Sequence, residues 1–225
     1  MIFNIMTLFP DVIYGYAGTS IIYNAIKNKL IKVNVYNIRD YSKNKHKKVD
    51  DYPYGGGTGM LMTPQPIYDC YSDIKKKNPD TSLIYFSPKG RVHDNEISKQ
   101  FAKLSNLTFL CGHYEGIDQR IIDTIVDYEI SIGDYVLTGG ELPALVMLDS
   151  IARKIDGVLS SKENVESESF ENSLLEYPQY TRPQDFLGQK VPDVLLSGNH
   201  EEIYKWRQNE AKKLTKALRP DLISN

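Results

Sequence analysis

Apolar runs of strand length alternate with helix-period segments along most of this chain, and that alternation constrains the fold more than any other feature. Met1 to Phe9 reads as a buried strand, Pro10-Asp11 punctuates it, and a helical pattern follows through Ile21, Ile22, Ala25, Ile26 and Leu30. Val33 to Ile38 reads as a second strand. Further on, helix is expected over Gln65 to Lys77, strand over Ser82 to Ser87, helix over Asn95 to Leu104 and strand over Leu107 to Cys111. Helix over Asp118 to Ile125, strand over Tyr128 to Ile132 and helix over Glu141 to Ile155 complete the series. Strands joined through helices run parallel, so the expected class is α/β, with a mostly parallel sheet and helices on both faces. Tyr41 to Gly59 breaks the rhythm: polar, basic and glycine-rich, it reads as a long loop of the kind that is functional or unstructured.

Composition excludes several classes. At 225 residues with 41% hydrophobic side chains, the chain has enough apolar surface for a real core. The longest apolar run, Leu142 to Leu148, contains Pro143 and falls far short of the roughly 20 residues that span a bilayer. Met1 to Pro10 lacks the basic start of a secretory signal, so a cytoplasmic location is expected. Cys70 and Cys111 sit in no CxxC or ligand-spaced pattern and read as buried thiols. A net charge of -2 argues against nonspecific coating of nucleic acid, yet the charge is segregated. Lys27 to Lys48 holds eight bases against Asp40, and Lys205 to Arg219 holds six against Glu210. Each run is either a solvated face or a surface for phosphates.

Acidic residues concentrate between them, from Asp156 to Glu176. Three parts are therefore expected: an α/β domain over 1–155, a flexible linker over 156–172 and a small helical domain over 173–225. In the last of these, Ile203, Trp206, Leu214 and Leu218 mark an apolar stripe. That placement suits Trp206 to the core better than to a base-stacking platform.

Three segments carry candidate chemistry. DDYPYGGGTGM, Asp50 to Met60, fits neither a dinucleotide fingerprint nor a Walker loop, and what remains is the backbone freedom of Gly55, Gly56, Gly57 and Gly59. CGHYEGID, Cys111 to Asp118, and SIGDYVLTGGELP, Ser131 to Pro143, each follow a strand and precede a helix. At the carboxyl ends of parallel strands they converge, with YFSPKG at Tyr85 to Gly90, on one ligand crevice. Helix initiation alone also accounts for Gly139 and Gly140.

Together with YPQYTRP and VPDVLLSGNH, these segments in this order resemble the bacterial TrmD family, the tRNA (guanine-N1)-methyltransferases of the SPOUT superfamily. The resemblance covers nearly the whole chain. It implies a homodimer whose sheet domain contains a deep trefoil knot, S-adenosyl-L-methionine as methyl donor, magnesium as a possible aid, and the anticodon stem-loop of tRNA as partner. The cofactor residues it implies are Tyr85, Phe86 and Pro88; Gly112, Tyr114, Glu115 and Gly116; Ile132, Gly133, Asp134, Tyr135, Val136 and Leu137; and Gly139, Gly140 and Pro143. For RNA or the target base it implies Gly55, Gly56, Gly57, Gly59, His46 and Arg182, with no metal ligand assigned. A Cβ at Gly140, as in Gly140→Val, is expected to abolish donor binding while the fold survives.

Methyl transfer from a sulfonium is a direct displacement, so the enzyme must align guanine N1 and relieve it of its proton. The family assigns these tasks to an aspartate in a DSF motif and to an arginine ending the preceding helix. The matching residues are Glu168, in ESF, and Arg153. Glu168 departs from the family by one methylene, with Glu166, Glu171 and Glu176 as alternative bases. Arg153 also has a purely structural reading, an i,i+4 pair with Asp149. His113 stands where the family carries arginine and receives no role. An rRNA methyltransferase and a noncatalytic RNA-binding module are the rival readings.

Overall fold

The computed structural model describes residues 1–159 and 168–223, which fall into two compact units, Met1–Ser160 and Ser161–Asn225. Glu163 and Glu166, with the rest of residues 160–167 of the expected 156–172 linker, lie outside the described residues.

The first unit is built on a five-stranded parallel sheet of order β2-β1-β6-β5-β7. These strands are β1 (Ile2–Thr7), β2 (Lys32–Asn37), β5 (Ser82–Val92), β6 (Asn106–Leu110) and β7 (Tyr128–Ser131). The two-residue strands β3 (Asp50–Asp51) and β4 (Leu61–Met62) pair with each other on either side of the glycine-rich part of the long loop. Helices α1 (Pro10–Ala17), α2 (Ser20–Lys27), α3 (Pro64–Lys77), α4 (Asn95–Phe101), α5 (Gln119–Ile125) and α6 (Glu141–Ala152) complete the unit.

Period-two alternation in β1 sends Phe3 and Ile5 to one face and Met6 to the other, and all three are fully buried. Phe3 and Ile5 join Ile84, Phe109 and side chains of α1, α2, α4 and α6 in one cluster. Met6 joins Leu83, Leu110 and side chains of α3 and α5 in the other. Both faces are therefore covered, as a parallel sheet requires. Helix α6 is capped by Gly140 without a side-chain hydrogen bond, a loss of only about a few tenths of a kcal/mol. It also buries Leu145, Met147, Leu148 and Ile151, each worth roughly 1.5–3 kcal/mol, so packing rather than capping holds it.

Several boundaries differ from the sequence reading. The first helical pattern divides into α1 and α2 at Gly18 and Thr19. The strand at Ser82 runs on to Val92, interrupted where Phe86 and Arg91 both register against Ile130, so that residues 87–90 bulge from the ladder. Gly90 makes this possible, because a Cβ there would lie 2.5 Å from the Glu129 carbonyl.

In the second unit a hairpin that the sequence reading did not foresee, β8 (Asp185–Phe186) with β9 (Gln189–Lys190), precedes α7 (Asp193–Leu196) and α8 (His200–Leu218). The stripe of α8 is centred on Ala211 and Thr215, both buried, with Trp206 half-buried beside Tyr180 and Leu218 exposed. No helix among the described residues is long and apolar enough to cross a membrane.

Candidate active site

The carboxyl ends of β5, β6 and β7 open into a cleft of about 250 Å³. Its β5 wall is Tyr85, Phe86, Ser87 and Pro88, the last two displaced into place by the bulge. After β6 come Gly112, His113, Tyr114, Glu115 and Gly116; after β7, Ile132, Gly133, Tyr135, Val136 and Leu137, closed by Gly139 and Pro143. Of the expected cofactor residues, Asp134 and Gly140 are the two outside this lining. Ser87, His113, Ile130 and Ser131 line it without having been singled out as cofactor residues. Ser87, Ile130 and Ser131 lie beside or within the quoted segments, and adjacency was the one signal available for them.

Glycine gives this cleft its shape in two ways. Gly116 and Gly133 take φ of +121° and +145°, a region that side chains disfavour. Gly140 instead has ordinary backbone and serves close approach: its N–H donates to the Gly112 carbonyl at 2.8 Å, and a Cβ would lie 2.6 Å from Cys111 Cα. Substitution there collides with backbone rather than with a ligand. The expectation that the fold tolerates Gly140→Val is therefore corrected: this residue binds two loops together beneath the cleft.

Burial, then the Glu129 carboxylate, pushes the Tyr85 phenol up to about 12. Burial likewise raises the Cys111 thiol. Both cysteines are buried and free, as expected. The glycine-rich loop reaches the same place. Met60 O accepts from Glu115 N at 3.0 Å and Gly116 O from Met62 N at 2.9 Å, while a Cβ on Gly59 would lie 2.5 Å from Glu115 Cγ. Gly55, Gly56 and Gly57, all at positive φ, form its exposed tip. Asp118 then caps α5, accepting from Arg120 N at 3.0 Å, and the Arg120 guanidinium holds its carboxyl below the usual range.

A family profile described as tRNA (guanine-1)-methyltransferase TrmD matches residues 1–225. The chain belongs to this family. Relatives named tRNA (guanine-N(1)-)-methyltransferase include one from Clostridioides difficile, 59% identical over 99% of this chain and 97% of its own length. Another, from Alkaliphilus oremlandii, is 55% identical over 100% of this chain and 93% of its own length. A third, from Ruminiclostridium cellulolyticum, is 55% identical over 100% and 97% respectively.

Of the other candidate residues, Arg153 and His46 belong to the first unit and are not among those lining the cleft. Arg153 follows the last turn of α6, half-buried, its N–H on Asp149 O at 3.1 Å. The Asp149 carboxylate accepts from the Tyr16 hydroxyl, a bond that, with burial, pushes that phenol up to about 12. Glu168 and Arg182 belong to the second unit. Glu168 is half-buried and its carbonyl accepts from Glu171 N at 3.3 Å; Arg182 is exposed. His46 is exposed on a turn of the basic loop.

That loop is less positive than its sequence implies. Lys43 pairs with Asp69 at 2.9 Å and Lys47 with Asp40 at 2.8 Å, while Lys48 lies 3.6 Å from Asp51. Asp69, distant in sequence, thus offsets one charge of the run, and Asp51 lies just past its end. In α8, Lys213 pairs with Glu210 at 2.6 Å. Among the described residues no group of three or more His, Cys, Asp or Glu side chains is gathered for a metal ion.

Proposed function

We propose that this chain transfers a methyl group from S-adenosyl-L-methionine to N1 of the guanosine immediately 3′ of the anticodon. One observation carries the reading: in a chain matched to the TrmD family over its full length, three strand-end loops wall a single cleft. The residues suit the donor's chemistry. Glycine-rich backbone at Gly112, Gly116 and Gly133 brings amides and carbonyls within reach of an adenine edge, and Ile132, Leu137 and Pro143 supply apolar walls. The donor contributes an electrophilic methyl group, and the chain's residues do the rest.

Guanine N1 is a weak nucleophile until its proton leaves. Glu168 accepts that proton as general base, and the Arg153 guanidinium stabilises negative charge developing on O6. The target base leaves the anticodon stack to reach the cleft, the Gly55 to Gly59 loop covers it, and basic side chains including Arg182 and His46 hold the RNA. The deep knot and a homodimer with shared sites belong to the same reading, as the family resemblance implies them; the three-part division at 155 and 172 and a cytoplasmic location accompany it from the composition and the N-terminal sequence.

Labelled S-adenosyl-L-methionine with unmodified tRNA transcripts differing only at the nucleotide after the anticodon tests the proposal. Label is expected only where that nucleotide is guanosine. Transfer to ribosomal RNA instead, or donor binding without transfer to any RNA, would overturn it. A monomer by sedimentation that retains full activity would remove the shared site.

A further inference from the structure

His93 is a half-buried histidine outside the cleft lining, and the methyl-transfer reading does not use it. It stands just after β5, where three elements meet. Its backbone N–H donates to the Ser131 carbonyl at the end of β7, 2.7 Å away. Its ring nitrogen Nε2 lies 2.8 Å from Ser150 Oγ on α6 and 3.1 Å from Ser98 Oγ on α4. The other ring nitrogen, Nδ1, is enclosed and has no hydrogen-bond partner among the described residues.

Counting protons fixes the tautomer. The Ser150 hydroxyl donates to Met147 O at 3.0 Å and the Ser98 hydroxyl to Asp94 O at 3.2 Å, so each has given its one proton to the helix backbone. Nε2 must then carry the ring proton and share it between the two oxygens, which leaves Nδ1 a bare acceptor. As with backbone groups, an enclosed acceptor without a partner is tolerated more often than an enclosed N–H. A second proton would turn Nδ1 into such a donor and put a charge on the ring. Little nearby favours that charge. Among the described residues Asp94 is the one charged group whose field reaches the ring, and its Oδ1 is engaged by Ile97 N at 2.7 Å. On α4, Glu96 pairs with Lys99 at 2.7 Å; on α6, Asp149 accepts from the Tyr16 hydroxyl; on β7, the Glu129 carboxylate acts on Tyr85. Burial outweighs Asp94 and holds the imidazole below its ordinary value of 6.5.

We propose that His93 is an acid-sensitive latch: as the neutral Nε2–H tautomer it joins β7, α4 and α6, and a proton on Nδ1 weakens that junction. Ser131 and Pro143 of α6 both line the cleft, so the latch ties together two parts of its frame. This holds whatever the cleft binds.

Acid titration of the whole protein tests the latch. The unfolded chain takes up the histidine proton first, so the latch's contribution to stability is complete above 6.5 and is lost as pH falls from there through the lower folded value. His93→Gln keeps an amide N–H close to the Nε2 position and does not titrate. Between about pH 7.5 and about pH 5 the melting temperature of the wild type should fall by about 2–4 °C more than that of the variant, since every other titrating group is common to both. Parallel melting curves overturn the latch. Nitrogen-15 spectra of the wild type decide independently of any variant's folding. The His93 ring is expected to carry its proton on Nε2 and to titrate below 6.5; a proton on Nδ1 in the neutral ring, or titration at 6.5 or above, refutes the proposal.

Discussion

Replacing Gly140 with alanine tests how the cleft is assembled. The added Cβ would stand 2.6 Å from Cys111 Cα and 2.9 Å from Gly112 N, where ordinary van der Waals contact begins near 3.4 Å. Neither neighbour is the end of a flexible side chain, so the loops must separate by most of an ångström. That movement also strains the 2.8 Å bond from Gly140 N to Gly112 O. Overpacking of this kind costs about 1–3 kcal/mol and weakening one enclosed hydrogen bond about another 1, giving a loss of roughly 2–4 kcal/mol. For a chain of this size the melting temperature should fall by roughly 5–15 °C. Gly15→Ala is the control, the same chemical change in α1 with nothing within 4 Å of the new carbon, and it should leave stability equal or slightly raised. Calorimetric melts of both variants give the comparison. A Gly140→Ala melt within about 2 °C of the wild type would refute the assigned contact between the two loops.

Three further outcomes are expected. Glu168→Gln should lower single-turnover methylation by roughly 10²–10⁴-fold with donor affinity unchanged, and Glu168→Asp should fall between, by up to about 100-fold if the backbone has adjusted to the longer side chain; a normal Gln rate removes Glu168 as base. Asp118→Asn should destabilise the protein at neutral pH, and the gap to wild type should close as pH falls. The folded carboxyl is held below its ordinary value of 3.8, so its stabilisation is complete above that pH and disappears as the folded group takes its proton; a gap that persists to the acid limit contradicts the pairing with Arg120. Cys70 and Cys111, buried with their thiols raised by desolvation, should resist a thiol reagent at pH 8 in the native state and react fully on unfolding; fast native labelling would show that either is exposed.

Local pattern determined a large part of this protein. Alternation of strand-length apolar runs with helical periods produced the parallel α/β sheet because each period buries one definite face, and Phe3, Ile5 and Met6 divide between the faces as that rule requires. The segments at Tyr85, Cys111 and Ser131 could be placed at strand ends because chain order and parallel direction together put those ends on one edge. Tertiary structure decided what depends on neighbours remote in sequence. That Gly140 meets the backbone of Cys111, that Gly90 lets residues 87–90 leave the ladder, and that Lys43 finds Asp69 are all facts of juxtaposition, invisible to local period or charge count. The same holds for His93. In the sequence it is one of four histidines, with nothing to set it apart; only the fold brings Ser150, 57 residues later, to the ring nitrogen that Ser98 also meets.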